Sequence, residues 1–130
     1  MSTELYYLTL ASLLTAFLWI PYILNLLLSN PIKDAVGYPD QPPKMAPWAE
    51  RLKAAHYNAV ENLVVFAALV IVAHLTETSS ATTETAAMTF FWARVVHAVS
   101  YAGAIPWVRT LSFAVAWAAM IAIGWAILHT

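Results

Sequence analysis

The chain has 130 residues, 62% hydrophobic and 10% charged, with six Lys and Arg, seven Asp and Glu, and a formal charge of −1 at pH 7. Soluble domains are roughly half apolar and a quarter charged, so this composition reads as a membrane protein with room for about four spans of roughly 20 residues. The weak charge excludes a nucleic-acid binder, which needs many cations on phosphates, and the lack of cysteine excludes disulfides, iron–sulfur clusters, thiolate zinc sites and a cysteine nucleophile.

A first span is expected over residues 5–28. Glu4 precedes it where a cleaved signal peptide would carry Lys or Arg, so the segment is expected to remain as a span. Pro21 lies inside it and takes away the hydrogen bond to the Phe17 carbonyl, which predicts a kink. Residues 29–47 carry five of the seven prolines and read as a loop of turns and extended chain. Pro47 at a first-turn position, with Glu50 after it, opens a second helix over 47–75. At about 42 Å that helix is longer than the hydrocarbon is thick, so its polar start overhangs the apolar layer.

Residues 76–84, TETSSATTE, read as a polar turn with capping Ser and Thr. A third span is expected over 85–104, with Arg94, His97, Ser100 and Tyr101 in apolar surroundings and a break at Gly103 and Pro106. The fourth, over 107–128, has Arg109 in its first turn. The expected fold is therefore an all-α membrane protein, a four-helix transmembrane bundle forming a single integral membrane domain over 1–130. Lys33, Lys44, Arg51 and Lys53 cluster at the first loop and Arg109 adjoins the third. The second carries only Glu77 and Glu84. The excess of cations places loops one and three in the cytoplasm and both termini outside, in the cell (inner) membrane. Trp48 and Trp107 then mark one interface, and Tyr6, Tyr7 and Trp125 the other, as anchors.

The polar residues of the second helix fall on one stripe. On a helical wheel Arg51, Asn58 and Asn62 lie within about 40° of one another, with Glu61 flanking them, while His56 and Lys53 point away. Arg94, His97 and Tyr101, spaced i, i+3, i+7, share one face of the third helix. Counting about 1.5 Å of rise per residue from the outer end puts Glu61, Arg94, His97, Tyr101 and Arg109 at similar depth, roughly 15–25 Å in.

A lone charge at the bilayer centre costs about 2.5–3.5 kcal/mol on insertion scales, so such groups turn inward and pair. One account is a structural bridge from Glu61 to Arg94 or Arg109. That leaves His97, Tyr101, Asn58 and a second arginine in the same layer unexplained. The excess of cations and hydrogen-bonding groups suits a small anionic ligand held through guanidinium forks. No GxSxG or HExxH spacing occurs, so neither a hydrolytic serine nor a metal site is expected, and His56 faces the wrong way to share a haem with His97. A reactive thiol would have to come from the ligand, with Arg109 or Arg94 stabilising its thiolate. A proton or ion path through Glu61 and His97 lacks polar residues to continue it through the outer halves of the helices.

The motifs E-R-x-x-x-A-H-x-N-x-x-E-N at 50–62, A-R-V-V-H-A-V-S-Y-A-G at 93–103 and P-W-V-R-T-L at 106–111 resemble those of the MAPEG family, membrane-associated proteins in eicosanoid and glutathione metabolism, in its bacterial-type members. The resemblance covers nearly the whole chain. It implies a homotrimer with glutathione as co-substrate, bound between neighbouring subunits and open to the cytoplasmic half. It also implies transfer of glutathione to lipophilic electrophiles, or reduction of lipid hydroperoxides, by a transferase or peroxidase whose second substrate arrives through the bilayer. Asn58 and Glu61 match glutathione-contacting positions of helix two, with Glu61 near the ligand's amino group. Arg94, His97 and Tyr101 match helix-three positions lining the same site, and Arg109 matches the arginine that holds the thiolate. Thr110 falls where prostaglandin E synthase-like members have a serine. Ala54 stands where well-studied members carry a second glutathione-binding arginine, Tyr57 where prostaglandin E synthase-like members carry another, and Phe113 in place of a tyrosine beside the thiolate. Arg51, one turn before Ala54, and Lys53 or Lys33 are the residues expected to compensate. The alternative is a non-catalytic protein of the same fold that binds another small anionic or lipid ligand, or a structural subunit of a membrane complex.

Overall fold

Ser2 starts the first helix by accepting the Leu5 amide hydrogen at 3.3 Å, and α1 runs Thr3–Phe17. In this computed structural model, which describes residues 1–130, the helix pauses at Leu18 and resumes as α2, Trp19–Ser29. The pause lies one turn before Pro21, because a proline has no N–H to give the Phe17 carbonyl. Asn30 then ends the helix with an extended backbone. Its Nδ2 donates to the Leu26 and Lys44 carbonyls, and its Oδ1 accepts from the Lys44 N–H at 2.9 Å. Asn25 Oδ1 similarly accepts from the Ala46 N–H at 2.8 Å. Two asparagines thus tie both ends of the proline-rich loop, which also contains a single helical turn, α3, Ile32–Ala35.

Pro47 occupies the first turn of α4, Pro47–Leu75. This helix closes with two hydrogen bonds, Thr78 N–H to the Ala73 carbonyl at 2.8 Å and Glu77 N–H to the His74 carbonyl at 3.2 Å, the pattern that normally uses a left-handed glycine. Glu77 takes that position, at φ 56°. Helix α5, Ala81–Ala102, begins four residues earlier than expected, because Ser80 and Thr83 exchange side-chain and backbone hydrogen bonds in a capping box. The segment TETSSATTE is therefore turn only as far as Ser80. At the other end Ala104 donates to the Tyr101 carbonyl and Ile105 to the Ser100 carbonyl, at 3.2 and 2.9 Å. The left-handed residue there is Ala104 at φ 57°, whereas Gly103 has an ordinary φ of −79°. Ala104→Gly is expected to raise stability by about 1 kcal/mol, seen as a higher melting temperature in detergent. Pro106 then opens α6, Pro106–Leu128.

Four helical columns, α1 with α2, α4, α5 and α6, pack side by side, and α5 and α6 make the most extensive contact. Ala86, Ala87, Ala93, Ala116 and Ala119 are buried in the shared core, and their small side chains let helix backbones approach closely. At its centre Phe66 of α4 and Phe90 of α5 stack with ring centroids 3.8 Å apart and planes 15° apart. The columns Thr3–Ser29, Pro47–Leu75 and Pro106–Leu128 are each long and apolar enough to cross a membrane. Helix α5 has the length, at 22 residues, but its threonines, Glu84, Arg94 and His97 lower its hydropathy. It turns those last two groups inward, where both are buried. Leu13, Phe17, Leu24, Val64, Ile71, Trp92, Val115, Trp117 and Ile121 meanwhile stay exposed around the bundle, a lipid-facing surface rather than a water-facing one.

Candidate functional site

Three elements converge near the Pro106 end of the bundle. Helix α4 supplies Arg51 and Asn58, α5 supplies Arg94, His97 and Tyr101, and the first turn of α6 supplies Arg109. Arg94 is 4% exposed. Its Nη2 donates to Asn58 Oδ1 at 2.6 Å, while Nε and Nη1 are buried with no partner. Asn58 is in turn held by Asn62, whose Nδ2 donates to its backbone carbonyl at 2.9 Å. His97 is 3% exposed, with Nδ1 unpartnered. Its ring meets Tyr101 edge-on at 5.6 Å and Phe113 at 6.1 Å. The other face of this chain of contacts is Arg109, whose guanidinium lies 4.9 Å from the Tyr101 ring centroid, within cation–π range.

Arg51 reaches across to the C-terminus of α5, where its Nε donates to the Ala102 carbonyl at 3.0 Å. That carbonyl is one of the last four of the helix, which have no partner inside it, and a cation there also meets the negative end of the helix dipole. The bond fixes the Arg51 guanidinium beside the α5–α6 turn. A cavity of about 230 Å³ opens there, lined by Arg51, Tyr101, Ala104, Ile105, Pro106 and Arg109. Two guanidinium groups and no carboxylate line it, so its wall attracts anions.

The positions expected from sequence divide into three groups. Arg51, Tyr101 and Arg109 share the cavity, and Asn58, Arg94 and His97 form the buried polar layer behind it. Glu61 and Thr110 stand apart. Glu61 is exposed on the outer face of α4, amid the exposed apolar residues Val60, Val64 and Val65, and Arg94 takes Asn58 as its partner instead. Thr110 donates its hydroxyl to the Pro106 carbonyl at 3.2 Å. His56, which the wheel turned away from the stripe, shares a 2.7 Å hydrogen bond with Tyr22 of α2. That pair had no signature beyond the placing of Tyr22 after Pro21, and neither did the Ala102 carbonyl that receives Arg51. Asn58→Ala is expected to cost about 1.5–3 kcal/mol, because it strands the remaining donor of a buried guanidinium. Denaturation in detergent measures this loss.

Membrane-crossing helices, an apolar outer surface and a buried cationic layer define an integral membrane protein of the all-α class. The family model described as "MAPEG family" matches residues 8–129, and the chain belongs to that family. The family includes glutathione transferases and peroxidases as well as non-catalytic members. A search of curated proteins finds no match to the chain.

Proposed function

We propose that the protein is a membrane-bound, glutathione-dependent transferase or peroxidase. The observation that carries this reading is the cavity flanked by Arg51 and Arg109 without a balancing acid, in a chain of this family. Glutathione is a small anion with carboxylates for guanidinium forks and a thiol that reacts as the thiolate. Arg109 has the charge to stabilise that thiolate, with Tyr101 beneath its guanidinium, and Arg51 is placed for a carboxylate. In transfer, the thiolate sulfur bonds to an electrophilic carbon and the displaced group leaves. In peroxidase turnover, two glutathione molecules become one disulfide as a lipid hydroperoxide is reduced to the alcohol and water.

The same reading includes α5 as the fourth span, a homotrimer of four-helix protomers, and loops one and three in the cytoplasm. Glu61 supports the assembly. A carboxylate among exposed valines in the membrane is costly, and a neighbouring subunit bringing a ligand amino group to it relieves that cost. The apolar groove between α5 and α6 gives lipophilic substrates an approach from the bilayer. It measures about 500 Å³ and has Trp92, Val96 and Leu111 among its walls.

A second reading, a non-catalytic ligand-binding or structural member of the family, is favoured by Tyr57, which stands at an expected arginine position and takes Lys53 at 5.8 Å over its ring. The deciding experiment adds millimolar glutathione to the purified protein in detergent and follows melting temperature, thiolate absorbance, conjugation and peroxidase turnover together. Stabilisation with turnover supports the enzyme, and stabilisation without turnover supports the second reading. No response to glutathione in any of these sinks the glutathione assignment.

A further inference from the structure

At the end of the bundle opposite Arg109, the N-termini of α1 and α5 meet the C-terminus of α4. Glu4 lies in the first turn of α1 and is 3% exposed. Its Oε1 accepts from Thr83 Oγ1 at 2.6 Å and from Ser79 Oγ at 2.9 Å. Its Oε2 is buried and has no partner. Glu4 also forms part of the wall of a cavity of about 410 Å³, together with Ser2, His74, Glu77, Thr78 and Ser79. None of this belongs to the glutathione site, and a carboxylate serving only to staple two helices would have no need of the cavity beside it.

The wall carries two carboxylates, and its donors are few: the Ser2 hydroxyl at the start of α1, the exposed His74 imidazole, and hydroxyls that already have partners. The Thr83 and Ser79 hydroxyls are committed to Oε1, and the Thr78 hydroxyl is within hydrogen-bonding distance of the hydroxyls of Thr76 and Thr130. No Lys or Arg lines the cavity. A second carboxylate, Glu77, does so from the left-handed turn that ends α4. A metal ion fits poorly, because no three His, Asp or Glu side chains converge. A primary ammonium fits the same wall well: it is cationic, it carries three N–H donors, and it bonds to carboxylates and hydroxyls without a fixed coordination geometry. The volume is in the range of small-molecule sites, which start at about 300 Å³.

We propose that this cavity binds a primary ammonium group, with Glu4 and Glu77 as its carboxylate acceptors. Such a group comes either from an ethanolamine lipid headgroup, which the cavity's place at the ends of the long apolar helices would suit, or from a free small amine. The lipid headgroup and the free amine offer the cavity the same three N–H donors.

The test follows the melting temperature of the purified protein in non-ionic detergent against four additives: ethanolamine, choline, and short-chain phosphatidylethanolamine and phosphatidylcholine. A saturable rise is expected with the primary amines and not with their trimethylated counterparts, which keep the charge but have no N–H. A rise with the ethanolamine lipid alone assigns the source as lipid, and a rise that includes free ethanolamine assigns a free amine. Glu4→Gln keeps an amide oxygen for Thr83 and Ser79 and is expected to weaken binding at least about tenfold by removing the charge. Glu77→Gly suits the left-handed backbone, so it removes the second carboxylate without threatening the fold, and it is also expected to weaken binding. It decides the matter if Glu4→Gln does not fold. The proposal is overturned if neither amine shifts the wild type, if the trimethylated forms act equally, or if both variants respond as the wild type does.

Discussion

In the proposed glutathione reaction, Arg109→Ala is expected to lower turnover by about 10²–10³-fold, the range for removing one preorganised group that stabilises developing negative charge. Arg109 is exposed at the start of α6, so losing its side chain leaves no cavity in the core and the melting temperature without ligand should hardly move. The guanidinium is instead committed to the site, over the Tyr101 ring at 4.9 Å and on the wall it shares with Arg51. Thiolate absorbance with saturating glutathione separates two roles. If Arg109 holds the sulfur, absorbance falls along with turnover. If it only binds a carboxylate, turnover recovers at high glutathione and absorbance does not change. Arg109→Lys keeps a charge but loses the planar fork, so partial recovery is expected. Turnover in Arg109→Ala equal to wild type would remove this residue from the mechanism.

Phe66→Ala is expected to cost about 3 kcal/mol or more, at the level of large-to-small changes at fully packed sites. Phe66 is wholly buried and stacked at 3.8 Å on Phe90. Val70, Ala87, Met120 and Ile123 belong to the same core. Lipid is as apolar as the ring it would replace, so the loss is mainly of dispersion contacts and of an aromatic pair rather than of water exclusion. Phe66→Leu should recover much of the stability by refilling volume. Thermal or denaturant unfolding in detergent reads both, and a loss below about 1 kcal/mol for Phe66→Ala would show that the core closes around the gap.

Local signals in the sequence carried much of the helical outline. Pro47 and Pro106 open α4 and α6 because a proline at a first-turn position costs no hydrogen bond, and Pro21 announces a break in the first column. The places where the chain departs from expectation are those where a neighbour's side chain or an unfavourable backbone angle intervenes. Ser80 and Thr83 pull α5 back to Ala81 through their mutual bonds. Ala104, not Gly103, accepts the left-handed angle, because it is the residue between the closing bonds to the Tyr101 and Ser100 carbonyls.

The candidate site was legible to the level of a face and a depth. The wheel placed Arg51 and Asn58 together on α4, and the i, i+3, i+7 spacing placed Arg94, His97 and Tyr101 together on α5. Those are properties of a single helix, and its period determines them. Which group meets which across two helices depends on rotation and axial offset, which packing sets. Packing gives Arg94 to Asn58 and leaves Glu61 on the outer face. It also brings Arg51 to the Ala102 carbonyl and joins His56 to Tyr22.

By itself, then, the sequence determined a membrane protein of long apolar helices with polar residues sharing a face on α4 and on α5, because composition and helical period act residue by residue. Only the tertiary structure decided the partners within that layer, the shared cavity of Arg51 and Arg109, and the burial of Glu4 against Thr83. Each of these depends on contacts between residues far apart in the chain, whose relative positions are set by how α1, α4 and α6 each pack against α5.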